Sequence, residues 1–219
     1  MRILYFDTET NGLPKVRGKA PMGAGPPTGG GLDTDVKNHP IIVEIAWQIW
    51  ENETCLKKRT CLLKPDPDVI WNMESAMIHK IFKQTAIDQG FPVADILAEF
   101  RTDAVGCDVL ISHNLAFDLP VLKCSYLRLD PGASFEWLPT KQLCTMKETT
   151  ALCKLPFANS RYPRRAGDKD PYKMPKLSEL HTHLFGSLGA FDFHNASSDV
   201  DCLVKCAQEL FRRNIITLS

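Results

Sequence analysis

The sequence has no excess of charge of either sign. Its 26 lysines and arginines are balanced by 26 aspartates and glutamates, which leaves a formal net charge of +0 at pH 7. Without an overall basic field, any attraction of a nucleic acid must come from local patches and bound cations. The balance argues against a protein that coats DNA through bulk charge, and it is compatible with one that holds only a strand end.

Long apolar runs and export signals are also lacking. No stretch approaches the ~20 apolar residues that a membrane span needs. The apolar run at residues 3–6 is too short for a signal peptide and leads directly into acidic residues. The sequence therefore predicts a cytoplasmic protein without a membrane partner.

The sequence also lacks the C-x-x-C pair that many zinc and redox sites use, although it contains eight cysteines. Cys202 and Cys206 lie one helical turn apart, and His181 and His183 form another pair of metal-ligating residue types. Without an export signal, a reducing environment favours free buried thiols over disulfides. A structural zinc site is the less favoured alternative.

What is present is typical of one α/β domain. The 219 residues are 44% hydrophobic and 24% charged, and we expect residues 1–219 to form a single domain. Apolar patterns of strand and helix type alternate along the chain, as they do in layered α/β folds. Strands are predicted at residues 2–6, 41–50, 55–64, 109–112 and 141–145, and helices at 75–82, from 93, around 118–126 and at 196–213.

Two polar segments interrupt this pattern. Residues 15–40 contain six glycines and four prolines, too many for regular structure, and form either a mobile flap or a disordered insertion. A phosphate-binding loop is a poor alternative because no G-x-x-x-x-G-K pattern occurs. Residues 156–176 either guide a single strand or form a solvated loop, and their basic side chains are Arg161, Arg164, Arg165, Lys169, Lys173 and Lys176.

Four carboxylates and one histidine fall into three short patterns. Asp7 and Glu9 lie in F-D-T-E-T-N-G, Asp118 ends H-N-L-A-F-D, and His194 and Asp199 bracket H-N-A-S-S-D. Residues two apart on a strand share a face, so Asp7 and Glu9 point the same way. Acids gathered in one cleft repel one another unless cations lie between them. If the fold brings these patterns together, the sequence predicts a metal site.

Each pattern alone is weak. A D-x-E triplet occurs about once by chance in a chain of this length. Asp118 and Asp199 are individually explained as well by a helix cap or a first-turn acid, and His194 by a surface histidine. Three such coincidences in one chain are less plausible than a shared catalytic role.

Together the patterns resemble the DEDD superfamily of 3′-to-5′ exonucleases, in the histidine-bearing subgroup typified by the proofreading epsilon subunit of bacterial DNA polymerase III. All three family motifs occur in family order over residues 7–199. A-M-I-H-K-I at 76–81 and Y-K-M-P-K-L-S-E-L at 172–180 are similar to further family segments. The resemblance implies a ribonuclease H-like fold, an α/β architecture with a central mixed β-sheet flanked by α-helices.

The resemblance also assigns roles. It implies that Asp7, Glu9, Asp118 and Asp199 bind two Mg²⁺ or Mn²⁺ ions, for which carboxylate oxygens are suitable ligands. It makes His194 the general base, and an ordinary histidine pKa of about 6.5 suits that role near neutral pH. Residues expected near the terminal nucleotides are Thr10, Gly12, Leu13, His79, Asn114 and Phe117.

Two of those substrate assignments have specific alternatives. Leu13 is the candidate apolar wedge against a base, whereas Phe117 either stacks on a base or, as we favour, packs in the core.

The expected activity is 3′-to-5′ exonucleolytic release of nucleoside 5′-monophosphates from single-stranded or frayed 3′ ends of DNA. Trimming of RNA is the alternative within the enzyme class, because no motif reads the 2′-hydroxyl. A non-catalytic nucleic-acid-binding scaffold is the alternative outside it. Independent action and docking on a polymerase both remain open, as do monomer and homodimer.

The two interpretations of residues 156–176 differ in salt dependence. If the segment guides the strand, charge reversal at Arg164 and Arg165 will weaken binding of a labelled single-stranded oligonucleotide and flatten its dependence on salt concentration, because fewer counterions are released. An unchanged salt slope in the variant would favour the solvated loop.

Overall fold

The computed structural model describes residues 1–15, 35–157 and 171–218. The predicted flap or disordered insertion at 15–40 falls largely on residues 16–34, outside the described residues. Of the basic segment at 156–176, residues 158–170 lie outside them as well. The predictions made for these two stretches stay predictions.

Five strands and eight helices occur in the described residues. In chain order they are β1 (Arg2–Thr10), β2 (Ile42–Glu51), β3 (Thr54–Leu62), α1 (Met73–His79), α2 (Lys83–Gln89), α3 (Val93–Ala104), β4 (Val109–Ser112), α4 (Leu115–Leu129), β5 (Lys141–Cys144), α5 (Thr145–Glu148), α6 (Thr150–Cys153), α7 (Leu177–Phe185) and α8 (Ala196–Arg212).

The strands form one mixed sheet in the order β3-β2-β1-β4-β5. β1 pairs with β2 and β2 with β3 in antiparallel fashion, whereas β1–β4 and β4–β5 are parallel. The predicted central mixed sheet is therefore confirmed. Because parallel strands end at the same edge, the ends of β1 and β4 bring the first two acidic motifs to one place.

Helices cover both faces of this sheet. On one face, Leu4 and Phe6 of β1 pack in a cluster with Phe100 of α3 and Leu122 of α4. On the other, Tyr5 packs in a cluster with the apolar stripe of α8, which includes Val200, Leu203, Ala207 and Leu210. Strand alternation therefore directs residues 5, 7 and 9 towards α8 and residues 4, 6 and 8 towards α4.

The helix predicted at 75–82 is present as α1, but it ends earlier, at His79. α1 begins after Asn72, whose side chain accepts a hydrogen bond from the Ser75 N–H, and it ends where Lys80 adopts a left-handed conformation with φ of 61°. Extended backbone at Phe82 then precedes the separate helix α2. The break leaves His79 as the last residue of α1.

The start of α4 also differs from the prediction. Asp118 was expected to open the helix, but α4 begins three residues earlier, after Asn114 in a left-handed conformation with φ of 77°. Asp118 lies in the first turn and is buried. The sequence patterns do not predict the helices α2, α5, α6 and α7.

None of the helices in the described ranges has both the length and the apolarity needed to cross a membrane.

Candidate active site

Three of the predicted acids converge between β1 and α8. Asp7, Glu9 and Asp199 each offer one carboxylate oxygen, and these oxygens all lie within 4.8 Å of one another. Asp7 and Glu9 project from the face of β1 that α8 covers, and Asp199 lies in the first turn of α8. Packing of Val200 in the Tyr5 cluster holds the two elements together. This acid triad has the hard oxygen donors that Mg²⁺ and Mn²⁺ prefer.

Burial and mutual repulsion disfavour the charged forms of the triad. Burial, followed by the charges of Asp118, Asp199, Glu9 and Glu44, raises the pKa of Asp7 well above its usual range. The same two causes raise the pKa of Glu9 to about 8, and burial raises that of Asp199 to about 6. Cations placed among these carboxylates would compensate the charge that the protein leaves unbalanced.

The fourth predicted ligand, Asp118, is held differently. Its Oδ1 accepts a hydrogen bond from Thr8 Oγ at 2.7 Å, and its Oδ2 accepts one from Ser112 Oγ at 2.7 Å. Thr8 lies between Asp7 and Glu9 but faces α4, so Asp118 approaches β1 from the opposite side to Asp199. Asp118 is therefore beside the triad and not part of it, although each oxygen keeps a lone pair for a water or a cation.

The pKa of Asp118 is also raised, to about 7. Burial is the larger cause, and the two hydroxyl hydrogen bonds oppose it. Its charge contributes in turn to the raised pKa of Asp7.

His194 lies in the turn that enters α8, with a positive φ of 69°. Its backbone N–H donates to Asp199 Oδ2 at 3.0 Å, so the same carboxylate belongs to the triad and fixes the histidine turn. Burial and then the positive charge of Lys176 lower the pKa of His194, whereas Asp192 opposes them. A lowered pKa keeps the imidazole neutral near pH 7, as a general base requires.

Glu44 is an acid of this site that the sequence analysis missed. It lies on β2 directly opposite Glu9 and is only 6% exposed. Burial raises its pKa, and its charge contributes to the raised pKa values of Asp7, Glu9 and Asp199. In the sequence it is an acid flanked by apolar residues of one strand, and only the register of β2 on β1 reveals its neighbours.

The turn after β1 is tied to the start of α1. Asn11 Nδ2 donates to the Ile70 carbonyl at 2.8 Å, and the Asn72 N–H donates to Asn11 Oδ1 at 2.6 Å. Gly12 has φ of 118°, and a Cβ there would approach the Asn72 side chain to 3.4 Å. Leu13 follows this turn and is 73% exposed, a position that an apolar wedge requires.

The other predicted substrate contacts are more enclosed. The buried Thr10 side chain donates to the Gly12 carbonyl at 2.8 Å, so it shapes the turn. His79 is buried beside the Thr10 backbone, with Nδ1 accepting from the Ile81 N–H at 3.0 Å. Asn114 supplies the left-handed residue before α4, and partly buried Phe117 packs against the core on the α4 face of the sheet.

Part of the basic segment 156–176 is described. Arg161, Arg164, Arg165 and Lys169 lie outside the described residues. Lys173 is engaged, because its ammonium pairs with Glu179 at 2.6 Å. The segment is also fixed to the second motif, since His113 Nε2 lies 3.0 Å from the Pro175 carbonyl oxygen. Lys176 is exposed and close enough to His194 to lower its pKa.

Comparison with known proteins gives matches at the level of structure. No family model matches the chain, and no curated protein matches it by sequence. Escherichia coli exonuclease I in complex with a dT13 oligonucleotide matches with a TM-score of 0.69 and 18% identity over 97% of this chain and 41% of that one. Exonuclease I from Methylocaldum szegediense matches with a TM-score of 0.65 and 17% identity over 97% and 40%.

A zinc-bound form of the E. coli exonuclease I complex with single-stranded DNA also matches, with a TM-score of 0.67 and 18% identity over 97% of this chain and 41% of that one. The chain thus spans about two fifths of the length of these structures. The likeness confirms the predicted ribonuclease H-like fold.

In the absence of divalent cations, we expect stability to fall as pH rises from about 4 to about 8. Glu9, Asp118 and Asp199 have higher pKa values in the folded chain than in the unfolded one, so the folded state holds more protons in that window. Thermal unfolding in EDTA and in Mg²⁺, at the two ends of the window, measures the effect, and Mg²⁺ should stabilise most at the alkaline end.

The matched control for this prediction is Asp7→Asn, which removes one repelling charge. Its melting temperature should fall less with pH in EDTA than that of the unchanged protein, and Mg²⁺ should raise it less. Equal pH dependence in the two proteins would contradict the prediction.

Proposed function

We propose that this chain is a metal-dependent 3′-to-5′ exonuclease of the DEDD superfamily that acts on single-stranded or frayed 3′ ends of DNA. The observation that carries the proposal is the convergence of Asp7, Glu9 and Asp199 within 4.8 Å at the turn that bears His194. Its support from other proteins is a fold shared with exonuclease I, structures of which contain single-stranded DNA.

The acid triad and Asp118 would hold two Mg²⁺ or Mn²⁺ ions. Such ions polarise the phosphate and stabilise the charge on the attacking and the leaving oxygen. The donor set fits them, because Asp7, Glu9 and Asp199 offer hard carboxylate oxygens and carry a repulsion that divalent charge relieves.

His194 then takes the proton from the attacking water. Its lowered pKa leaves the imidazole able to accept a proton at neutral pH. The hydrogen bond from its backbone to Asp199 couples the position of the base to that of a metal ligand. Hydrolysis by this route breaks the bond to the 3′ oxygen and releases a nucleoside 5′-monophosphate.

DNA is the favoured polymer because some of the solved neighbours are complexes with oligodeoxynucleotides, dT13 in one and dA16 in another. Leu13 is exposed just after the turn that follows β1, and such a side chain is suited to contact an unpaired base. RNA remains the alternative substrate, since none of the described side chains at the site is assigned to a 2′-hydroxyl.

Oligonucleotides labelled at the 5′ end test the activity. With Mg²⁺ or Mn²⁺ we expect stepwise shortening from the 3′ end, faster for DNA than for RNA of the same sequence, and none with EDTA. A ladder resolved on a denaturing gel reads out direction, polymer and metal requirement together. Binding without shortening would favour the scaffold, and faster loss from RNA would favour the exoribonuclease.

Replacement of His194 by alanine should slow turnover on the order of a hundredfold or more, because general-base catalysis contributes about that much. Mn²⁺ binding should be largely retained, since the triad is intact. The matched control is His183→Ala, an exposed histidine of α7 that we place outside the site. Turnover of the His194 variant at the rate of the His183 variant would reject the general-base role.

A further inference from the structure

Glu44 occupies a position that is unfavourable for a carboxylate. It is the register partner of Glu9, so the two side chains stand on the same face of the β1–β2 pair, and like charges in such positions repel. Glu44 is nearly inaccessible to solvent, and no lysine or arginine in the described residues forms an ion pair with it. Its retention there needs a specific compensating contact.

That contact is the start of α8. Glu44 Oε2 accepts a hydrogen bond from the Ala196 N–H at 2.9 Å, and Ala196 is the first residue of the helix. A helix N-terminus carries partial positive charge and unsatisfied N–H groups, both of which favour a carboxylate. Ala196 lies two residues after His194 and three before Asp199, so the bond reaches the middle of the third motif.

The other side-chain hydrogen bonds of this turn join residues 192–199 to one another. Asn195 Oδ1 accepts from the Ser198 N–H, and Asp199 Oδ2 accepts from the His194 N–H. Ser198 Oγ accepts from the Asp192 N–H. Among the hydrogen bonds found to residues 194–199 in the described part of the chain, the Glu44 bond is the one that reaches the sheet.

We infer that Glu44 is a positioning residue, which sets the His194–Asp199 turn against the strand that carries Asp7 and Glu9. The catalytic part of this inference rests on the proposed exonuclease activity. Its structural part concerns the turn alone. Because Glu44 acts through the Ala196 amide, what matters is an acceptor atom at that place and not the negative charge.

This distinction defines the test variants. Glu44→Gln keeps an oxygen that can accept from Ala196 and removes the charge, whereas Glu44→Ala removes both. Gln48→Ala is the matched control, because Gln48 is four residues along the same face of β2, is buried, and bonds the same helix through Asp201. It breaks a β2–α8 contact of comparable kind away from the His194 turn.

Two readouts follow. Single-turnover cleavage of an oligonucleotide at saturating Mg²⁺ reports the geometry of the site, and we expect Glu44→Ala to be slower by about 10- to 100-fold, as a misplacement on the order of 1 Å produces. Glu44→Gln should stay within about threefold of the unchanged protein, which is within the ordinary context dependence of a retained hydrogen bond. Gln48→Ala should cleave at the unchanged rate.

Amide hydrogen exchange in the metal-free protein is the second readout, and it does not require activity. Glu44→Ala should lose protection at Ala196 and its neighbours in the turn, whereas Glu44→Gln and Gln48→Ala should keep it. If no oligonucleotide is shortened by the unchanged protein, the proposed function fails while this exchange pattern still decides the positioning role.

Two results would overturn the inference. One is a Glu44→Gln variant as slow and as unprotected as Glu44→Ala, which would mean that the charge and not the acceptor matters. The other is a Glu44→Ala variant that equals Gln48→Ala in both readouts, which would reduce the bond to an ordinary structural contact.

Discussion

Electrostatic repulsion among the acids at the end of β1 is the constraint on which the rest of the site depends. Two negative charges about 4 Å apart repel by about 4 kcal/mol at an effective dielectric constant of about 20. Three such pairs within the triad would amount to much of the roughly 5–15 kcal/mol that stabilises a folded domain. The fold therefore keeps Asp7, Glu9 and Asp199 together only if some of them are protonated or if cations lie between them. Their raised pKa values reflect the same repulsion.

Because side chains alternate along β1, the acids of the site are held from both faces of the sheet. Asp7 and Glu9 face α8, which brings Asp199 and the His194 turn, whereas Thr8 between them faces α4 and holds Asp118. Side chains of β1 thus lie next to the first turns of two helices, α4 and α8, on opposite faces of the sheet. The D-x-E spacing is needed for this arrangement, because a shift of one residue would direct the pair towards α4.

The sequence predicted what local patterns determine. Apolar periodicity located the strands and the long helices, and motif spacing identified the residues that form the triad. Glu44 could not be found in that way, since its role depends on the register between β1 and β2, and 31 residues separate the end of β1 at Thr10 from the start of β2 at Ile42.

Two further features were not predicted, one for a local reason and one for a non-local reason. The division of α1 from α2 depends on one left-handed residue, Lys80, that is not a glycine and gives no sequence signal. The hydrogen bonds that hold both oxygens of Asp118 come from Thr8 and Ser112, which precede it on two different strands. Only the paired sheet reveals that these hydroxyls converge.

The same repulsion has a consequence for how the proposed nuclease would meet its substrate. The acids of this cleft repel phosphate to the extent that they are ionised, and one cation among the described residues, Lys176, lies near His194. The chain as a whole has no net positive charge to offset this. In the proposed nuclease, divalent cations among the acids would offset this repulsion and so favour binding of the strand end.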